Sequence, residues 1–305
     1  MHDSKVRWEE MLPHEFVEAR DACSLCYMPF GLAEPHGWFN ALGLDWLKAT
    51  ALVEAAASEH GGIVAPPFCW HMTEVPQFHD DGHGNGWFHS SGIKQSLASS
   101  IPPDLFFRTV FHQIRAFDAR GFHAAILVTG HYGGLEKGLR KLCEYYTLRT
   151  GSPLRLYAIA DWECIPEEQT YRGDHAGMCE TSQLMALRPE LTDVSRRTGD
   201  DELGSFFAGG IDWDSGEHPS EEIGKTIVDA QIKALGRTGK QLLSDYTLRE
   251  GWQAPNQTEA DELWFTFYNL TRKYWQTTWQ EYCDGKTYDF PSWESLGLHL
   301  NEDAR

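Results

Sequence analysis

The sequence predicts an α/β fold in three layers, α/β/α, about a mainly parallel sheet. Two features predict it. Apolar runs of strand length alternate with longer helical stretches, and most of the runs are continuously apolar, as strands covered on both faces tend to be. They also stop at glycine-bearing segments, where a strand gives way to a loop.

The elements follow in order. The first strand, 25–30, reads Leu-Cys-Tyr-Met-Pro-Phe and halts at Gly31. A helix is expected over 44–59, then a short strand at 63–65. Residues 66–103, rich in Pro, Gly, His and Ser, read as a long loop over the site. A helix over 104–120 leads to the strand 124–129, Ala-Ala-Ile-Leu-Val-Thr, which stops at Gly130-His131-Tyr132-Gly133-Gly134 ahead of a helix over 135–150. The strand 154–160 is followed by Gly173-Asp174-His175-Ala176-Gly177, which opens a helix over 178–187, and 189–219 is a second irregular stretch. The chain has no internal repeat and no low-complexity linker.

Composition sets the class. With 305 residues, 41% hydrophobic and 13% aromatic, the chain can bury a real core. A net charge of -19 excludes nucleic acid and anionic membrane surfaces as partners. Lys5, Arg7, Glu9 and Glu10 interrupt any signal-like apolar region near the start, and no apolar run reaches a bilayer's thickness, so a cytoplasmic location is expected. Seven cysteines, an odd number, read as reduced thiols.

The chemistry gathers at the strand ends. Glu34, His36 and Asp45 share one short strand-to-helix connection, where Gly31, Pro35 and Gly37 prevent regular structure. His131 follows another strand directly, and His175 and Glu180 lie within about two helical turns of each other. Ligands in an open parallel sheet collect beyond the carboxyl ends of the strands, so all three segments can converge there. Glu34, Asp45 and Glu180 would then repel by roughly 4 kcal/mol per pair at about 4 Å. Two divalent cations and one bridging hydroxide cancel that charge. The cluster is unfavourable when empty, so metal should stabilise the protein. Carboxylate and imidazole donors without thiolate suit Zn²⁺ and Mn²⁺ first, then Fe²⁺ or Mg²⁺.

At these residues the chain resembles the creatininase family of creatinine amidohydrolases. Glu34, His36 and Asp45 match its Glu-x-His-Gly segment with a later Asp; Thr129-Gly130-His131-Tyr132 matches its Asn-Gly-His segment; residues 175–182 match its His-Ala-Gly-x-x-Glu-Thr-Ser segment. Residues 216–235 weakly resemble the family's last helix. Two departures stand out: creatininase places a metal-binding Glu where this chain has Gly133, and the family's His-Leu-Pro-x-x-Thr-Asp is altered to Phe39-Asn40-Ala41-Leu42-Gly43-Leu44-Asp45.

The resemblance implies a dinuclear metallohydrolase over 1–245. In it Asp45 bridges two ions, Glu34 and His131 complete one, and His36 and Glu180 the other. A bridging hydroxide would attack an amide-like carbonyl while His175, the catalytic histidine, protonates the leaving nitrogen. Tyr132, Trp162 and Asp174 would contact a small polar substrate, a cyclic amide or related ring. Relatives that open a carbocyclic keto-polyol of the dehydro-inosose type supply a second reading, and a metal-stabilised assembly protein without turnover supplies a third. An open coordination position distinguishes an enzyme from the last of these.

The remaining features are secondary. The helical stretch 261–282 carries Trp264, Phe265, Phe267, Tyr268, Tyr274, Trp275, Trp279 and Tyr282 on more than one face, which suggests that 246–305 is an extension packed on the domain or on a neighbouring subunit. A closed homo-oligomer is expected, and the resemblance points to a hexamer. Cys23 and Cys26 lack a partner pair at zinc-finger spacing. His71, His79, His83 and His89 beside Asp80 and Asp81 read as a solvated loop rather than a further metal site. Asn256-Gln257-Thr258 and Asn269-Leu270-Thr271 are glycosylation patterns without meaning in the cytoplasm.

Overall fold

Continuous apolar runs form the centre of the molecule. A computed structural model describes residues 5–72, 99–132, 135–168, 173–196, 218–275 and 290–298. The strands β1 (Leu25–Phe30), β2 (Ile63–Val64), β3 (Ala124–Thr129) and β4 (Arg155–Ala160) pair in the order β2-β1-β3-β4, all parallel. The helices are α1 (Pro13–Ala22), α2 (Leu44–His60), α3 (Pro103–Ala119), α4 (Leu135–Thr150), α5 (Met178–Leu187), α6 (Glu221–Ser244) and α7 (Gln257–Thr271).

Side-chain alternation along the strands builds the layers. Cys26, Met28, Ala125, Leu127 and Ala158 meet Phe106, Phe107, Val110 and Phe111 of α3 and Leu139, Leu142 and Tyr146 of α4. Leu25, Tyr27, Ala124, Ile126 and Val128 meet Leu52, Val53 and Ala56 of α2 and Val228, Ile232 and Leu235 of α6 on the opposite face. Each buried Phe or Leu contributes about 1.5–3 kcal/mol relative to exposure. The α/β/α arrangement is the predicted one. Among the described residues, no helix is long and apolar enough to cross a membrane.

Register then positions the site. Phe30 pairs with Thr129, and Thr129 with Ala160, so β1, β3 and β4 end level with one another. The chain leaves β1 for β2 on one side and returns to β3 on the other. The crevice beyond β1 and β3 is therefore a topological switch point, the expected place for a ligand.

Three expectations change. Helix α7 begins at Gln257, capped by Asn256 and Glu259, and passes at Arg272–Tyr274 into a 3-10 turn, whereas residues 276–282, with Trp279 and Tyr282, lie outside the described set. Trp264, Phe267 and Trp275 do not await a second subunit, because they are buried in the same core as α3 and α4. Trp275 sits 5.1 Å from Phe107, centroid to centroid, and among the described rings of this stretch only Phe265 is strongly exposed. His71 is likewise not solvated, although it lies in irregular chain. It is buried 4.2 Å from Phe106, and its Nδ1–H donates to the Met72 carbonyl at 2.8 Å. His79, His83, His89, Asp80 and Asp81 fall outside the described residues.

Candidate metal centre

Two glycines admit the N-terminus of α2 to the strand ends. A Cβ at Gly31 would fall 2.2 Å from the Trp46 backbone nitrogen, and one at Gly130 would fall 2.2 Å from the Asp45 carbonyl oxygen. Any larger residue at either position would push α2 away. Asp45 lies in the first turn of α2, where the helix dipole favours a carboxylate.

The predicted residues meet there. Asp45 Oδ1 is 3.0 Å from His36 Nε2, and Asp45 Oδ2 is 3.1 Å from His131 Nδ1. Glu34 Oε1 also lies 3.1 Å from His131 Nδ1, and Glu180 Oε2 lies 3.7 Å from His36 Nε2. Asp45 thus belongs to two donor groups, Glu34–Asp45–His131 and His36–Asp45–Glu180, each with its donor atoms within 4.8 Å of one another. A third group joins Glu34 and His36 to His175.

The donor set fits divalent metal on one observation in particular. His36 Nδ1 lies 2.9 Å from the Glu34 carbonyl, which can only accept, so Nδ1 keeps a proton and Nε2 is the nitrogen that can give up its own to an ion. That Nε2 is buried among carboxylates without a hydrogen bond. Neutral imidazole with its other nitrogen donated to a carbonyl is the state a metal ligand requires.

Electrostatics agree. Burial lowers the basicity of His36, yet Asp45, Glu180 and Glu34 outweigh it and raise its pKa to about 9. Burial would raise Asp45 and Glu34, but the surrounding histidines hold both below the ordinary carboxylate range. In the metal-free protein His36 therefore carries a proton that an ion must displace. Metal affinity, measured by competition with a chromophoric chelator, should rise with pH until about 9 and level off above it. A pH-independent affinity between 6 and 9 would remove His36 from the ligand set.

The segment before α5 is shaped to place Glu180. Asp174 accepts backbone N–H groups from Gly177 at 3.2 Å, Cys179 at 2.6 Å and Glu180 at 3.1 Å. These bonds engage both of its oxygens at the start of α5. Enclosure and the neighbouring Glu180 push its carboxyl up to about 7. Ala176 adopts φ 53°, costly for a residue with a Cβ by on the order of 1 kcal/mol, and its N–H donates to Glu180 Oε2 at 2.8 Å. His175 stacks on His36 with centroids 4.6 Å apart and donates Nε2–H to the Pro35 carbonyl at 3.0 Å. Its Nδ1 is 3.9 Å from Glu34 Oε1, and burial followed by the charge of His36 lowers its pKa.

Two residues of the site escaped the sequence reading. Lys48 is completely buried one helical turn beyond Asp45 and donates to Glu180 Oε1 and to the Tyr132 hydroxyl, each at 2.6 Å. Asp161, the residue after β4, lies 3.5 Å from Lys48 Nζ and accepts from Gln183 at 3.1 Å. The i, i+3 spacing from Asp45 to Lys48, and the strand-end position of Asp161, were the signals available. The Tyr132 hydroxyl is engaged by Lys48, which leaves its ring as the part able to meet substrate. That ring stands edge-on to Trp162, 6.5 Å away and half-buried in the turn Asp161–Cys164.

Comparison with known proteins agrees with this geometry. The creatininase family model, described as creatinine amidohydrolase, matches residues 9–247. A creatinine amidohydrolase of Pseudomonas putida is 26% identical over 212 residues, spanning 63% of this chain and 74% of its own length. A glutamate-to-glutamine creatininase variant of Zn–Zn type and a manganese creatininase each superpose with a TM-score of 0.55 at 20% identity, over 78% of this chain and 98% of theirs. A family match over most of the chain, on a fold that ends its strands in these donors, means that this chain belongs to the creatininase family of hydrolases.

Proposed function

We propose that this chain is a dinuclear metal-dependent hydrolase that opens a small, polar cyclic amide. The observation that carries the reading is Asp45, one carboxylate whose two oxygens face two different histidines and so serve two donor groups. Glu34, Asp45 and His131 would hold one ion, and His36, Asp45 and Glu180 the other. When bound, such ions supply Lewis acidity and water that is acidic near neutral pH.

The chain's own residues move the proton. With Nε2–H held by the Pro35 carbonyl, His175 offers Nδ1 toward Glu34 and the reacting centre. It takes a proton there as water adds to the carbonyl carbon. The imidazolium, opposite the Glu34 carboxylate, then gives that proton to the nitrogen as the C–N bond breaks. Trp162 and the ring of Tyr132 would wall the substrate and exclude water.

Gly133 bears on the substrate. It supplies no carboxylate, so Glu180 must carry the ion of the His36 subsite, and Glu180→Gln should lose roughly one ion per subunit by elemental analysis. Creatinine should be turned over poorly, and a substrate screen should include other cyclic amides and carbocyclic keto-polyols. Creatinine hydrolysis at ordinary enzymatic rates, about 1–10³ per second, would refute the substrate claim. We place residues 1–245 in the hydrolase domain and read 246–305 as an extension packed on it or on a neighbouring subunit. On family resemblance and charge we read the protein as a cytoplasmic homo-oligomer.

A further inference from the structure

Lys48 is a buried cation inside a site that otherwise collects carboxylates for metal. Its stem runs along α2 past Gly130, where a Cβ would lie 3.1 Å from Lys48 Cε. Its ammonium sits 4.3 Å from the centroid of the Tyr132 ring and meets Glu180 Oε1, the Tyr132 hydroxyl and Asp161 Oδ2. The other oxygen of Glu180 is anchored separately, by the Ala176 N–H on its left-handed backbone. Both ends of the carboxylate are therefore held, and only Oε2 is turned toward His36 and Asp45.

We propose that Lys48 is the positioning residue of the His36 subsite: it occupies Glu180 Oε1, so that Glu180 offers an ion one oxygen, and it offsets the charge of Asp161. The inference rests on the two-ion reading above. A free carboxylate between two cations can rotate or chelate through both oxygens. One held by an ammonium cannot, and it reaches the ion already oriented. Partners of this kind, which touch a ligand and not the metal, are worth roughly 10–100-fold in metal affinity.

The test separates charge from position. Lys48→Met combined with Asp161→Asn removes one positive and one negative charge, so the crevice keeps its net charge while Glu180 loses its anchor. Stepwise Zn²⁺ titration should give two ions for the parent. In the double variant the metal-free melting temperature should stay near that of the parent and one ion should bind unchanged, while the ion that Glu180→Gln loses should bind roughly 10–100-fold more weakly. Parent-like affinity for both ions in the folded double variant would overturn the proposal, and so would equal weakening of both. A parent that binds a single ion would refute the two-ion reading itself, and that result is visible before any substitution is made. If the double variant fails to fold, a crystal structure of the zinc-loaded parent decides. Glu180 bound through one oxygen, with Lys48 Nζ still on the other, is expected; Glu180 chelating through both oxygens would overturn the role.

Discussion

Removing metal is expected to abolish turnover and to lower the melting temperature by roughly 10–20 °C, with Zn²⁺ or Mn²⁺ restoring both. Glu34, Asp45, Glu180 and Asp161 share one crevice with Lys48 as their fixed counter-charge. Two ions, each at about 100 times its dissociation constant, would together add on the order of 5 kcal/mol. In a chain of this size, about 2–4 °C accompanies each kcal/mol. The metal-free protein should nevertheless stay folded, because the proton that His36 takes up partly replaces the lost cations. Full activity in excess chelator, on protein shown to be metal-free, would defeat the mechanism.

The second large effect separates Asp45 from His175. Asp45→Asn removes the one charge that both donor groups share and should deplete both ions, with activity falling to background. His175→Ala should leave the metal content intact and lower kcat by about 10²–10⁴, the range for a lost proton-transfer group. Elemental analysis beside steady-state kinetics decides between them. The group formed by Glu34, His36 and His175 gives the contrary result its meaning: an alanine variant that loses an ion in proportion would make His175 a ligand.

Much of this arrangement is legible in the sequence because parallel strands leave a plain signature. The run from Leu25 to Phe30 is apolar and buried at every position, and the run from Ala124 to Thr129 is buried throughout and apolar up to its last residue. Each ends at a glycine followed by donors, and register does the rest. Lys48 left only the weak signal of its spacing from Asp45. A lysine on an amphipathic helix ordinarily faces water, and only the approach of α5 and the end of β4 turns its surroundings into carboxylates. The hold of Asp174 on α5 was not legible, since an acid ahead of a helix serves capping as readily as binding, and three backbone N–H groups engage it here. The choice between the domain and a neighbouring subunit as cover for the aromatic side chains of α7 was not legible either, because their partners, Phe107, Phe111 and Tyr145, lie more than a hundred residues away in the chain.

The proposed mechanism requires two ions that share Asp45. Anomalous diffraction from crystals of the zinc-loaded protein, recorded on either side of the zinc absorption edge, addresses that directly. Two peaks are expected, one against each oxygen of Asp45, the first beside Glu34 and His131 and the second beside His36 and Glu180. A single peak, or peaks that leave Asp45 without a metal, would contradict it.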